Sequence, residues 1–301
     1  MLAYVLTRYG GPEGSALMEF PEPKLRPRDI LVNVRAAGLN PVDIGFRQGK
    51  LRPVYRLKLP QVLGNEFAGE VVAVGDEVTR FSAGDRVFAR VEKDRLGAFA
   101  EQAAVGEDCA AHMPSNMDFE EAAGVPLAAL TALQALRDEL GVKPGQKVFI
   151  SGGAGGVGTF AIQIAKWLGA HVTTTASKRG EALVRSLGAD EVIDYTSDDL
   201  SRFGKTGAFS TARRYGAEVE PLPEGSGVDK LIALASASYD PFRPTHQLAA
   251  ASRPWNDRLW SGRSWRKAAG RYRQCMSAGG APTPPINEGM GRALCAIRGI
   301  D

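Results

Sequence analysis

Residues 147–158 read KVFISGGAGGVG. The first five positions form a short apolar run, typical of a buried strand in a parallel sheet. Residues 159–168 (TFAIQIAKWL) follow with apolar side chains at helical spacing. Glycines between a strand and a helix let the backbone approach a pyrophosphate, and the free N–H groups of the helix N-terminus can then bind it. The three-residue spacing of Gly152, Gly155 and Gly158 therefore predicts a dinucleotide-binding loop and disfavours the alternative, a merely flexible glycine turn.

The elements after this loop continue the pattern. Residues 171–176 (HVTTTA) form a β-branched strand, residues 181–187 a helix that ends at Gly188, and residues 191–194 (EVID) a third strand. Strand, loop, helix, strand, helix, strand is the beginning of a doubly wound α/β fold. Residues 1–120 instead contain many short strand-like runs with turn residues between them, which predict a small irregular β-barrel.

The end of the second strand bears on the choice of dinucleotide. An acidic residue there would bind the ribose 2′-hydroxyl of NAD. Residues 176–179 read ASKR and contain no acid. Ser177 can donate a hydrogen bond to a 2′-phosphate, Lys178 can neutralise it, and Arg179 adds a second cation. This favours NADPH as the cofactor, with a solvated basic turn as the alternative.

Bulk properties exclude several classes of protein. The chain has 301 residues and a formal net charge of +3, which suits two domains and argues against a nucleic-acid or membrane partner. We find no secretory signal and no apolar run long enough to span a bilayer. The three cysteines (Cys109, Cys275 and Cys295) are odd in number and far apart, which favours the reducing cytoplasm.

The chain changes character near residue 205. Residues 205–301 are poor in Val, Ile, Leu and Phe, rich in Arg, Ala, Gly, Pro and Ser, and contain three of the four tryptophans. Only residues 231–235 (LIALA) resemble a strand there. We expect a Rossmann sheet that is incomplete at its C-terminal end, with an open edge. Two explanations remain: a frame-shifted translation of a GC-rich gene, or a divergent or disordered tail.

Several motifs up to about residue 204 are shared with one family. They are residues 36–43 (AAGLNPVD), 63–75 (LGNEFAGEVVAVG), 84–87 (GDRV), 142–145 (VKPG) and 187–195 (LGADEVIDY), with Gln163 and Lys166. On these motifs the chain resembles the medium-chain dehydrogenase/reductase superfamily, and most of all its zinc-free quinone oxidoreductase or enone reductase branch.

The resemblance implies a GroES-like catalytic domain at residues 1–120, the first half of a Rossmann domain at 121–204, and an active site in the cleft between the two. It places Asn40 and Thr131 at the nicotinamide. It assigns the pyrophosphate to Ala154, Gly155, Gly156 and Val157, and the adenosine end to Ser177, Lys178 and Tyr195. A homodimer, formed through the edge of the Rossmann sheet, is also implied.

The same resemblance bears on metal and on function. Zinc-dependent relatives have cysteine and histidine where this chain has Asn40 and Asn65, and amides are poor zinc ligands. We therefore expect no metal site, and hydride transfer from NADPH to a quinone or an α,β-unsaturated carbonyl. Asn40 and Tyr55 are the candidate catalytic residues; a structural aromatic at position 55, with water as the proton donor, is the alternative. A non-catalytic NADPH-binding protein, a zinc alcohol dehydrogenase and an enoyl reductase domain remain competing hypotheses.

Overall fold

The computed structural model describes residues 1–92 and 95–198, and the backbone of residues 230–233. These residues group into two compact units, one comprising Met1–Leu127 and the other beginning at Ala128. The division falls inside a helix, slightly later than the predicted domain boundary at residue 120. Apart from residues 230–233, the predicted tail from residue 205 onward lies outside the described residues.

The first unit consists of two antiparallel sheets. Its strands are β1 (Leu2–Leu6), β2 (Ser15–Glu19), β3 (Asp29–Gly38), β4 (Gln61–Val62), β5 (Glu66–Val74), β6 (Arg86–Arg90), β7 (Gln102–Gly106) and β8 (Ala110–His112). One sheet has the strand order β2-β1-β4 and the other β7-β3-β5-β6-β8. The aromatic rings of Phe67 and Phe99 are fully buried in one hydrophobic cluster of this unit, so the predicted small barrel has a core of its own.

Short helices connect these strands. The α-helices of this unit are α1 (Pro41–Arg47) and α2 (Phe119–Ala123), and 3-10 turns lie at Pro12–Gly14 and Glu107–Cys109. Asp118 caps α2: its carboxylate accepts from the Glu121 N–H at 2.8 Å, while the Glu121 carboxylate accepts from the Asp118 N–H at 3.1 Å. This reciprocal cap satisfies two N–H groups that the helix itself leaves unpaired. Helix α2 packs against β3 and β5.

The second unit is a parallel sheet with helices. It contains α3 (Pro126–Leu133), a π-helical turn (Gln134–Glu139), β9 (Lys147–Ser151), α4 (Gly156–Trp167), β10 (His171–Ala176), α5 (Glu181–Ser186), β11 (Glu191–Asp194) and β12 (Lys230–Ala233). The sheet order is β11-β10-β9-β12. Strands β9, β10 and β11 have the predicted bounds, which confirms the doubly wound α/β fold of this unit.

Strand β12 adds to the predicted sheet. From the sequence we expected a sheet of three strands with an open edge. Instead β12 pairs in parallel with β9, with Lys230 opposite Val148 and Ala233 opposite Ser151. The short apolar run at residues 231–235 therefore supplies a fourth strand, because the buried strand β9 needs a hydrogen-bonding partner on both sides. Among the described residues, no helix has both the length and the apolar character needed to cross a bilayer.

A bidentate ion pair joins distant parts of the first unit. The Arg95 guanidinium donates to both carboxylate oxygens of Asp29, at 3.0 and 2.8 Å. Asp29, the first residue of β3, is 3% exposed. Removing one partner of a buried, bidentate pair leaves the other charge without compensation, which costs more than the pair contributes when intact.

We expect Arg95→Ala to lower the free energy of unfolding by about 3 kcal/mol, because Asp29 would remain buried without its cation. Arg185→Ala is the matched control. Its guanidinium pairs with Glu181 four residues earlier on α5, at a site where both side chains are about half exposed, so a loss of at most about 0.5 kcal/mol is expected. Chemical denaturation of the two variants measures this difference, and equal losses would contradict it.

Candidate active site

The glycine loop between β9 and α4 turns in a very small space. Gly152 has φ +74°, a conformation that side chains disfavour. A Cβ atom on Gly158 would lie 2.3 Å from the Gly152 carbonyl oxygen. The Gly152 oxygen accepts a hydrogen bond from the Gly155 N–H at 3.0 Å. The loop therefore closes on itself, and glycine is needed at its first and last positions.

The loop presents free donors at the beginning of α4. The Thr159 N–H bonds to the Gly155 carbonyl. The N–H groups of Gly156, Val157 and Gly158 have no acceptor among the described residues, as the first turn of a helix requires. Three adjacent N–H groups at the positive end of a helix dipole suit a pyrophosphate. The residues fit the phosphates of a dinucleotide in the predicted place.

The predicted adenosine contacts lie at the carboxyl ends of the neighbouring strands β10 and β11. Ala176 of β10 is in register with Asp194 of β11, so Ser177 and Tyr195 each follow one of these paired residues. Tyr195 is 55% exposed. The hydroxyl and N–H of Thr196 lower the pKa of the Asp194 carboxyl, and Lys178 lowers it further through its charge. An acid from the neighbouring strand thus faces Lys178, which the sequence of β10 alone did not reveal.

Two amide–carboxylate pairs lie in the first unit. The Asn40 side-chain amide donates to Glu66 Oε1 at 2.6 Å, and the Asn65 amide donates to Asp43 Oδ1 at 2.6 Å. The Asn40 backbone N–H also donates to Asp43 Oδ2 at 2.8 Å, and the Leu127 N–H donates to Glu66 Oε2 at 2.6 Å. Each carboxylate therefore accepts two hydrogen bonds and joins the start of α1 to β5.

Burial decides the charge of this group. Loss of solvent raises the pKa of Glu66 to about 7, although hydrogen bonds from Asn40 and Leu127 favour its charged form. Burial likewise raises the pKa of Asp43 to about 6, against the hydrogen bond from Asn65. Arg90 acts electrostatically on both carboxyls, and burial lowers its own pKa. The group therefore carries two carboxyls that take up protons near neutral pH.

The candidate catalytic residues both belong to the first unit. Asn40 directly precedes α1 and contacts Glu66. The ring of Tyr55 lies 6.1 Å from that of Phe46, centroid to centroid, and its hydroxyl interacts electrostatically with Arg90. Thr131 is half-buried on α3 and belongs to the second unit, with the loop and the adenosine contacts.

The donor atoms here do not suit a zinc ion of the thiolate and imidazole type. The NH₂ groups of Asn40 and Asn65 donate to carboxylates, which leaves only amide oxygens where zinc prefers thiolate or imidazole. The Asn65 Oδ1 atom is buried without a partner among the described residues. In the same part of the chain, no three His, Cys, Asp or Glu side chains come together as a metal site. The Cys109 thiol has its pKa raised to about 11 by burial.

The contacts of two residues near these sites were not predicted from the sequence. The Thr175 hydroxyl on β10 accepts from the Gly152 N–H at 2.8 Å, but three consecutive threonines gave no sign of which one meets the loop. Glu66 is a single carboxylate in the sequence, and nothing near it in the chain indicates a partner. The register of β3 and β5, which sets Gly38 opposite Glu66, brings it within hydrogen-bond distance of Asn40.

Comparisons with known proteins agree with this architecture. Residues 26–115 match the alcohol dehydrogenase GroES-like domain and residues 156–236 the zinc-binding dehydrogenase domain, together more than half of the chain. A quinone oxidoreductase of Pseudomonas aeruginosa is 42% identical over 195 residues, which cover 64% of this chain and 58% of the relative. A structure of the quinone oxidoreductase from Coxiella burnetii is 39% identical with a TM-score of 0.59, covering 66% of this chain and 63% of that one.

A structure of an NAD-dependent alcohol dehydrogenase extends the similarity further. It is 31% identical with a TM-score of 0.62 and covers 77% of this chain and 84% of that one. The curated relatives are longer: this chain spans 50 to 66% of their length.

The second family match also corrects one expectation. From the sequence, the resemblance was expected to end near residue 204, whereas the match continues to residue 236 and includes β12. The segment before β12 hid this continuation because it lacks the apolar periodicity of the earlier elements. With both domains matched and the fold shared, the chain belongs to the medium-chain dehydrogenase/reductase superfamily, in its quinone oxidoreductase-like branch.

Proposed function

We propose that this chain is an NADPH-dependent oxidoreductase that transfers hydride, without zinc, to a quinone or an α,β-unsaturated carbonyl compound. The observation that carries the proposal is the loop at the start of α4, with three N–H groups left free for a pyrophosphate. Names of relatives support the reaction class: one is a quinone oxidoreductase, and another is an NADPH-dependent alkenal/one oxidoreductase of Arabidopsis thaliana, 41% identical over 210 residues.

The proposed preference for NADPH rests on the residues at the carboxyl end of β10. Ser177 and Lys178 follow β10 and offer a hydroxyl donor and a cation to a 2′-phosphate. Asp194 opposes part of this preference, because its carboxylate faces Lys178. We expect the 2′-phosphate to bind Lys178 more strongly than the Asp194 carboxylate does, since the phosphate carries more charge and more acceptor oxygens.

The absence of zinc rests on the paired amides. Without a Lewis acid, reduction of a simple ketone loses its electrophilic assistance, whereas a conjugated acceptor needs less. Bound NADPH supplies the hydride. The chain's own part is to orient the reactants and to donate hydrogen bonds to the oxygen where charge develops. Asn40, held by Glu66 at 2.6 Å, is the candidate orienting amide, and Tyr55 the candidate hydroxyl donor. Water is the alternative proton source.

A second candidate is a non-catalytic NADPH-binding protein. It shares the glycine loop and the nucleotide contacts with the first candidate but has no turnover. Turnover of NADPH with an enone separates the two candidates. The homodimer and the cytoplasmic location stay predictions, and some relatives are named as chloroplastic or mitochondrial.

Titration with the two nucleotides tests the cofactor. We expect NADPH to bind more tightly than NADH, as measured by the change in nicotinamide fluorescence. Lys178→Ala should weaken NADPH binding about tenfold and NADH binding by less than about twofold, because only NADPH carries the 2′-phosphate. The control is Lys143→Ala, an exposed lysine before β9, which should change neither. Equal binding of NADPH and NADH by the unsubstituted chain would contradict the NADPH assignment.

The buried carboxyls predict how stability depends on pH. Because the folded state raises the pKa of Glu66 from 4.5 to about 7, the folded chain holds more protons than the unfolded chain between these values. Stability therefore falls as pH rises through this range. Asp43 acts in the same direction.

We expect Glu66→Gln to reduce the fall in melting temperature between about pH 5 and about pH 8, because the variant has no proton to lose at this position. Glu70→Gln removes a carboxylate from the same strand without touching Asn40 or Leu127, and so controls for net charge. An unchanged pH slope in Glu66→Gln would refute a raised pKa at this carboxyl.

A further inference from the structure

The first half of the glycine loop is tied to the end of β10. The Gly152 N–H donates to the Thr175 hydroxyl at 2.8 Å, and the Gly153 N–H donates to the Thr175 carbonyl at 3.0 Å. Thr175 is 3% exposed. A single residue of β10 thus receives both N–H groups of the Gly152–Gly153 pair through one side-chain and one backbone oxygen.

Close packing against β10 leaves no room for a side chain at Gly153. A Cβ atom on Gly153 would lie 2.1 Å from the Thr174 hydroxyl oxygen. That hydroxyl is itself held, because it donates to the Ile150 carbonyl at 2.7 Å. The loop therefore packs against two consecutive threonines of β10: Thr174 lies against Gly153, and Thr175 is bonded to Gly152.

Gly152 connects Thr175 to the donors of α4. Its N–H bonds to the Thr175 hydroxyl, and its carbonyl oxygen accepts from Gly155, the residue that precedes α4. The same oxygen is the atom that a Cβ on Gly158 would meet. A change in the backbone dihedral angles of Gly152 would therefore displace the segment that carries the Gly156, Val157 and Gly158 N–H groups.

We propose that Thr175 is a positioning residue for the pyrophosphate loop: its hydroxyl holds the Gly152 peptide, and through it sets the Gly156, Val157 and Gly158 N–H groups for binding. The inference rests on the proposed function, since it concerns the same dinucleotide. In this role the Thr175 side chain does not bind the nucleotide directly. It holds the loop in its binding conformation before the nucleotide arrives, so less ordering is needed on binding.

Without this hydroxyl, the Gly152 N–H has to find another acceptor. In the free protein, water can provide one if the peptide rotates, which lowers the population of the binding-competent loop. The apparent dissociation constant then rises in inverse proportion to that population. The loss of one neutral hydrogen bond corresponds to an increase of about five- to tenfold.

Three threonine variants of β10 test this role. Thr175→Val should raise the dissociation constants of NADPH and NADH by the same factor of about five to ten, because both share the pyrophosphate. Thr175→Ser should restore binding to within about twofold, since it keeps the hydroxyl. The matched control is Thr173→Val: its hydroxyl contacts Glu191 at 3.3 Å and not the loop, so binding should not change.

Steady-state kinetics distinguish a positioning role of Thr175 from a general loss of structure in the variant. In Thr175→Val we expect the KM for NADPH to rise while kcat at saturating NADPH stays unchanged, because the bound loop is the same. Equal binding by Thr175→Val and the unsubstituted chain would overturn the inference while leaving the proposed function intact. Failure of the unsubstituted chain to bind either nucleotide would overturn both.

Amide hydrogen exchange on the nucleotide-free, unsubstituted chain provides a test that does not depend on how the variants fold. The Gly152 amide should exchange slowly, in the range of the β10 amides, because it is bonded to Thr175 before any ligand binds. Exchange at the rate of an unprotected amide would overturn the inference.

Discussion

Where the turn from β9 into α4 brings two backbone segments together, no side chain larger than a hydrogen atom fits between them. Gly158 approaches the Gly152 carbonyl so closely that a Cβ would lie 2.3 Å from it. This contact places the first turn of α4 close to the end of β9, and the start of the helix has three N–H groups without acceptors among the described residues. The order β11-β10-β9-β12 sets the ends of the parallel strands side by side, which is where a doubly wound fold can bind a nucleotide.

In the first unit, the corresponding constraint is the burial of two carboxyls. Glu66 and Asp43 would be costly to bury without partners. Asn40, Asn65 and the Leu127 N–H supply hydrogen bonds, and Arg90 supplies a positive charge. With their NH₂ groups bonded to the carboxyls, Asn40 and Asn65 offer a metal only amide oxygens, which are poor ligands for zinc. Hydrogen bonding is therefore the chemistry that these side chains provide.

Local patterns predicted much of the second unit. Strands β9, β10 and β11 were delimited from sequence because buried parallel strands are continuous apolar or β-branched runs bounded by glycine. The contacts that matter most were not predictable in this way. Asn40 and Glu66 are separated by 26 positions and meet only through the β3–β5 register. Thr173, Thr174 and Thr175 are identical in type, and which of them bonds to the glycine loop depends on the path of that loop. Strand β12 was recognised only as an isolated apolar run, because the residues before it lack a helical or strand period.

The function that we propose is hydride transfer from NADPH to a conjugated acceptor without zinc. The most direct test is to purify the full chain, determine its metal content by mass spectrometry, and follow the oxidation of NADPH at 340 nm with an enone or a quinone. We expect acceptor-dependent oxidation by a preparation that contains far less than one zinc per chain, with the rate unchanged by a chelator. Activity that tracks the zinc content, or NADPH binding with no turnover of any such acceptor, would contradict it.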